Sequence, residues 1–333
     1  MVAPGKIEIR DVPVPSPGAG QVLLRVRRIG VCGSDVHVYH GRHPYTRYPV
    51  VQGHEFAGVV EAVGSGVQDI PLGAKATAMP QIVCGHCAPC RRGDYHICKE
   101  LKVQGFQAPG CAQEFFVTKA DQIVLLPETF TFEQGALVEP AAVAVHAVSR
   151  AGELAHRNTV VFGAGPIGNL VAQVACSSRA HVLITDQSDR RLEIARACGL
   201  RATSNARAES LTSAVARVFG EDGFDVAFEC AGVEATITAA VETIAKGGTI
   251  IVVGVFADKP RVDLGLVQDR ELNLRGTLMY QRRDYEQAVA LIAARKIVVE
   301  PLESKHFALD AYAEAYALIA HQPETSLKVF IDL

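Results

Sequence analysis

The chain has 333 residues, enough for two domains of roughly 150 residues each, so a small disulfide-stapled scaffold is excluded. Its 33 Lys and Arg against 36 Asp and Glu leave a net charge of -3, with no basic excess to neutralise a phosphate backbone, which excludes a dedicated nucleic-acid binder. At 49% hydrophobic and 21% charged the composition is that of a globular protein rather than a disordered one.

In chain order, Met1 to Lys6 lacks the charged stretch, apolar core and small-residue cleavage site of an export leader. No uncharged apolar run approaches the ~20 residues of a membrane span. Both features lead us to expect a cytoplasmic protein without a membrane partner. Short apolar runs cut by Gly and Pro follow, such as Val22 to Val26 and Phe56 to Val63, with turns at Gly64-Ser65-Gly66 and Pro71-Leu72-Gly73. That texture predicts an irregular, mostly β domain up to about residue 140. Pro140 to Ala151 then reads as a helix.

Beyond it, strands and helices alternate. Thr159 to Phe162, His181 to Thr185, Phe224 to Phe228 and Thr249 to Val253 read as buried strands. Helical patterns pass through Leu170 and Val174, from Arg191 to Ala197, and around Ile237 to Ile244. The alternation predicts an α/β unit with a doubly wound parallel sheet. From about Tyr285 come two further helical patterns and a final apolar strand, Leu327 to Ile331, assignable to either domain.

Gly163-Ala164-Gly165-Pro166-Ile167-Gly168 has the spacing G-x-G-x-x-G, directly after a predicted strand and at the start of a helix. In that context Gly163 permits a tight turn, Gly165 lets backbone approach a pyrophosphate, and Gly168 lets helix and strand pack closely. The helix N-terminus supplies free N–H groups and a favourable dipole. Asp186, at the end of the next strand, is placed to accept hydrogen bonds from ribose hydroxyls and to repel a 2′-phosphate, which favours NAD over NADP. Arg190 and Arg191 follow and soften that preference.

The nine cysteines stand at 32, 84, 87, 90, 98, 111, 176, 198 and 230. An odd number, clustered, in a chain without an export leader points to metal rather than disulfides. Cys84, Cys87, Cys90 and Cys98 supply four thiolates in one short loop, the donor set of a closed structural zinc site, with an iron–sulfur cluster as the competing metal reading. His86 and His96 in that loop are expected to face water. A second, dispersed set combines Cys32-Gly33-Ser34-Asp35-Val36-His37, Gly53-His54-Glu55 and Val138-Glu139-Pro140, a mixture of thiolate, imidazole and carboxylate able to hold zinc with an open position.

These motifs, in this order and over nearly the whole chain, resemble the zinc-dependent medium-chain dehydrogenases. His54-Glu55 with Glu139-Pro140 resembles the polyol branch of sorbitol and xylitol dehydrogenases; sugar-acid and threonine dehydrogenases share much of the pattern. The resemblance implies a GroES-like catalytic domain over 1–145 and 283–333, a Rossmann domain over 146–282, and a homodimer or homotetramer. It also implies Cys32, His54 and Glu55 as catalytic zinc ligands, and Glu139 as a fourth ligand or the holder of a water on the metal. NAD and two zinc ions per chain are the implied cofactors. Ser34, the cofactor ribose and His37 are implied as the proton relay, with Glu55 or a zinc-bound water as the competing route.

The chain departs from that pattern in places. Polyol members often carry an Arg before the tyrosine matched by Tyr280, where this chain has Met279. Gly110-Cys111-Ala112 replaces the common Gly-Gly-Phe. Tyr39 to Tyr45, with Arg42 and His43, lies between the two ligand motifs and suits a polyhydroxylated or carboxylate-bearing small molecule. The expected reaction is oxidation of a secondary hydroxyl to a ketone with hydride transfer to NAD, on a polyol or alternatively on a sugar acid or threonine. The expectation from another class is a catalytically silent NAD-binding sensor or structural protein, against which the full set Cys32, Ser34, His54, Glu55 and Glu139 argues.

Overall fold

The computed structural model describes residues 1–333. Its strands are β1 (Gln21–Val31), β2 (Glu55–Val63), β3 (Lys75–Ala78), β4 (Gln81–Ile82), β5 (Lys102–Val103), β6 (Phe115–Lys119) and β7 (Ile123–Leu125). The series continues with β8 (Asn158–Phe162), β9 (His181–Asp186), β10 (Ala202–Asn205), β11 (Val226–Glu229), β12 (Thr249–Val252), β13 (Asn273–Gly276), β14 (Glu303–Ala308) and β15 (Lys328–Asp332). Two compact units divide the chain: residues 1–139, 281–293 and 303–333 form the first, and residues 140–280 and 294–302 the second.

The first unit is a seven-stranded, mainly antiparallel sheet in the order β14-β15-β1-β2-β3-β7, with β6 also on β1. β1 is its organiser, because eleven mostly buried residues pair with β2, β6 and β15. Its Val22, Leu24, Val26 and Ile29 pack with Phe56, Phe116, Val329 and Ile331 in one core. β15 answers the open question of the last apolar strand: Ile29 pairs with Ile331 and Val31 with Val329, so it belongs to the first unit.

The second unit is a six-stranded parallel sheet in the order β10-β9-β8-β11-β12-β13. Renumbered from its first strand this is 3-2-1-4-5-6, the dinucleotide-binding order, whose reversal lies between β8 and β11. Covered on both faces, such strands are apolar almost throughout rather than alternating; Val160, Val161 and Phe162 of β8 and Val226, Ala227 and Phe228 of β11 are all buried.

The units divide at Glu139 and Pro140, inside the helix Val138–Ser149, and again at Tyr280 and Gln281, and residues 294–302 belong to the second unit. The reason for the latter is local: Gln173 on the helix Pro166–Ser177 accepts from Val298 N at 2.7 Å and donates to Val298 O at 3.1 Å, while Ile297 and Val299 are buried.

Candidate active site

Cys32 follows β1 and caps the helix Gly33–Tyr39 from an extended backbone conformation. Asp35, in the first turn, accepts from Cys32 N through Oδ2 at 3.0 Å, which fixes the loop that presents the thiol. His54 precedes β2 and Glu55 begins it. Gly53 turns the chain into this strand at φ 89°, and a Cβ there would stand 2.9 Å from Cys111 Sγ. Cys111 is thus the floor beneath the His54 turn, a role the sequence offered no way to see.

Because Gly30 is the register partner of Glu55, the end of β1 delivers Cys32 beside the start of β2. Ligand atoms of Cys32, His54 and Glu55 all lie within 4.8 Å of one another. His54 Nδ1 and Asp35 Oδ1 are buried without hydrogen-bond partners and stand 3.6 Å apart. Closing to about 3.2 Å makes this an N–H···O bond, the usual support of a metal-ligating imidazole. Burial acts to lower the His54 pKa, but Asp35 and then Cys32 raise it well above the usual histidine value. Such protons leave when a cation takes their place, so the donor set fits zinc.

Glu139 is buried in the first turn of Val138–Ser149, but its carboxylate is not part of the group that brings Cys32, His54 and Glu55 together. Its charge acts instead on Lys328, whose pKa it helps to raise. Ser34 is half-buried and His37 exposed on the helix Gly33–Tyr39, spaced i and i+3 on one face. Of the loop between the ligand motifs, Arg42 is exposed, whereas His43 stacks on Phe106 with ring centres 4.7 Å apart. Phe106 in turn lies 4.8 Å from the His54 ring.

The four-cysteine lobe is pre-shaped. Cys98 Sγ lies 3.6 Å from Cys84 Sγ and 3.8 Å from Cys87 Sγ, and all four sulfurs fall within 4.8 Å of one another. Tetrahedral zinc with Zn–S of about 2.3 Å requires sulfurs about 3.8 Å apart. Backbone N–H groups of Cys87 and Glu100 point at Cys84 and Cys98 sulfurs at 3.3 Å, as thiolates require. One expectation for this loop fails: His86 is exposed, but His96 is buried. The Gln281 side chain lies 3.1 Å from His96 Nδ1, and Arg282 N donates to Tyr95 Oη at 2.6 Å, so the lobe is seated on the helix Arg282–Ala293.

In the second unit, Gly163 takes φ 96°, and a Cβ at Gly168 would lie 1.8 Å from Gly163 O, which leaves no room for any other residue. A Cβ at Gly165 would meet open space instead, at the N-cap of Pro166–Ser177. Pro166 occupies a first-turn position that needs no N–H partner, and Ile167 is half-buried beside it. Asp186 Oδ2 accepts from Ala164 N at 2.7 Å and Oδ1 from Ser188 N at 2.9 Å, so the carboxylate is tied to the glycine loop. Arg191 Nη1 is 3.6 Å from it. The loop fits a dinucleotide pyrophosphate, with Asp186 at its edge. Tyr280 is fully buried, and Met279 before it has φ 52°.

Residues 18–128 match the alcohol dehydrogenase GroES-like domain and residues 166–294 the zinc-binding dehydrogenase domain. A 2-dehydro-3-deoxy-L-galactonate 5-dehydrogenase of Pseudoalteromonas atlantica is 36% identical, over 95% of this chain and 93% of that protein. The chain belongs to the zinc-dependent medium-chain dehydrogenases. Within that family it falls in the polyol dehydrogenase branch: a D-xylulose reductase of Saccharomyces cerevisiae is 31% identical over 99% of this chain and 95% of its own. An alcohol dehydrogenase of Escherichia coli CFT073 solved with NADH superposes at a TM-score of 0.91 with 28% identity, covering 100% of this chain and 97% of that one. As a medium-chain dehydrogenase the protein is a zinc- and NAD-linked oxidoreductase of the alcohol dehydrogenase kind. No helix in it is long and apolar enough to cross a membrane.

Lys328 is a buried charge beside these ligands that no motif announces. Its Nζ donates to Glu55 Oε1 and Oε2 at 2.9 and 2.6 Å. A signal was available: a lone charge inside the apolar run Leu327 to Ile331 is costly to bury unless paired.

Proposed function

We propose that this chain oxidises a secondary hydroxyl of a polyhydroxylated small molecule to a ketone and passes hydride to NAD. The observation that carries the reading is the convergence of Cys32, His54 and Glu55 within 4.8 Å, in a chain that also holds a complete dinucleotide loop. A protein that merely sensed NAD needs no such second set of ligands.

When bound, zinc supplies Lewis acidity to the substrate oxygen and NAD accepts the hydride. The chain's own residues do the rest. Cys32 and His54 hold the metal with Glu55, and Asp35 orients the His54 ring. Ser34 accepts the hydroxyl proton as it gives up its own, and His37, exposed on the same helix face, releases a proton to water. Gly165 and the helix start hold the pyrophosphate, Asp186 the ribose. His43, stacked on Phe106, offers a polar edge to a substrate rich in hydroxyl groups. The protein acts in the cytoplasm as a homodimer or homotetramer.

A second reading makes the substrate a sugar acid, because the 36%-identical relative is a sugar-acid dehydrogenase and Met279 stands where polyol members often carry Arg. Arg42 then pairs with the carboxylate. The test is NADH formation on polyols, aldonates, threonine and simple secondary alcohols. Turnover restricted to polyols supports the first reading and turnover restricted to aldonates the second. Turnover with none, in protein loaded with zinc, overturns both.

A further inference from the structure

Glu55 and Lys328 form an ion pair with both side chains almost wholly buried, at 2% and 4% exposure. Three strands create it. Glu55 faces Gly30 across β1 and β2, while Val329, the residue after Lys328, pairs with Val31, the residue before Cys32. The register therefore sets Lys328 beside Cys32 as well as against Glu55. Gly30 makes the space, since a Cβ there would lie 2.5 Å from Glu55 Oε2 and 3.5 Å from Lys328 Cδ.

A buried ion pair is a weak source of stability, and an apolar pair of similar volume commonly does as well or better. This one engages both oxygens of a carboxylate that also belongs to the group Cys32, His54 and Glu55 proposed to hold the metal. Each carboxylate oxygen has a second lone pair, so Glu55 can still reach a cation, but against the pull of an ammonium.

We propose that Lys328 is a positioning residue for the catalytic metal: it competes with zinc for Glu55 and so sets how firmly the metal is held. The inference rests on reading Cys32, His54 and Glu55 as the catalytic zinc site. With Lys328 present, the zinc is anchored by Cys32 and His54 and only loosely by Glu55, which keeps a coordination position exchangeable. Without it, Glu55 becomes a full anionic ligand.

The test uses full-length protein loaded with zinc, as wild type, Lys328→Met and Lys328→Arg. Zinc loss to a chelator is followed by metal analysis, with the four-cysteine site as the internal reference. A second readout is the visible spectrum after cobalt replaces zinc at the catalytic site. Lys328→Met is expected to slow loss of the catalytic zinc about tenfold or more and to shift the cobalt bands toward higher coordination, while Lys328→Arg stays near wild type. Equal or faster loss from Lys328→Met overturns the proposal. If wild type binds only the four-cysteine zinc, the reading of the catalytic site fails instead. Should Lys328→Met not fold, a crystal structure of zinc-loaded wild type decides: a Lys328 to Glu55 hydrogen bond kept within about 3.2 Å supports the competition, and Lys328 turned away from Glu55 overturns it.

Discussion

Asp35 Oδ1 and His54 Nδ1 face each other at 3.6 Å with no other hydrogen-bond partner for either atom, and Asp35 is wholly buried. A carboxylate at that place fixes the imidazole tautomer and raises its strength as a ligand. Asp35→Asn keeps the shape and the acceptor for Cys32 N but removes the charge. It is expected to weaken the catalytic zinc by roughly 10–100-fold while leaving the four-cysteine zinc in place. Zinc titration of the metal-depleted variant checks this; unchanged affinity would mean that Asp35 serves only as a helix cap.

The four-cysteine lobe predicts a separable metal. Cys84→Ser opens the closed set and should lower zinc content from about two ions per chain to about one. The seating of Tyr95 and His96 on Arg282 and Gln281 should loosen with it, so the melting temperature falls too. Retention of both ions with an unchanged melting temperature contradicts a structural zinc here.

Asp186→Asn separates charge from hydrogen bonding at the nucleotide site. The amide oxygen can still accept from Ala164 N, now met at 2.7 Å, but no longer repels a 2′-phosphate. The ratio of kcat/KM for NADP to that for NAD is expected to rise about tenfold, equivalent to about 1.4 kcal/mol. A ratio that does not move removes Asp186 from cofactor selection.

Acid stability should depend on Glu133. Arg28 contacts it at 2.6 Å and also pairs with Asp332, linking the helix Phe132–Ala136 to β1 and β15. Burial of Glu133 raises its pKa, but backbone and Thr131 hydrogen bonds together with Arg28 outweigh this and leave it below the ordinary 4.5. A folded-state pKa below the unfolded one contributes stability that is present above the unfolded value and lost as pH falls through the folded one. Urea midpoints measured from about pH 6 down to about pH 3 should therefore fall less steeply for Glu133→Gln than for wild type. Parallel curves would assign the acid sensitivity elsewhere.

Cys84 to Cys98 and Gly163 to Gly168 were legible in the sequence because each constellation is built within one short stretch of chain, so residue types and spacing already carry the geometry. Cys32, His54 and Glu55 were legible as residue types, but their convergence depends on Gly30 pairing with Glu55 across β1 and β2. His96 could not be distinguished from His86 until the helix Arg282–Ala293 brought Gln281 against it. Lys328 was hidden most deeply. Its partner is 273 residues away, and a charge within an apolar strand has no visible purpose until the sheet places β15 against β1. The 333 residues and nine cysteines thus determined the glycine loop and the two candidate metal-ligand sets. Which charge balances Glu55 in the proposed catalytic set was decided by strand register, a long-range property that no local pattern encodes.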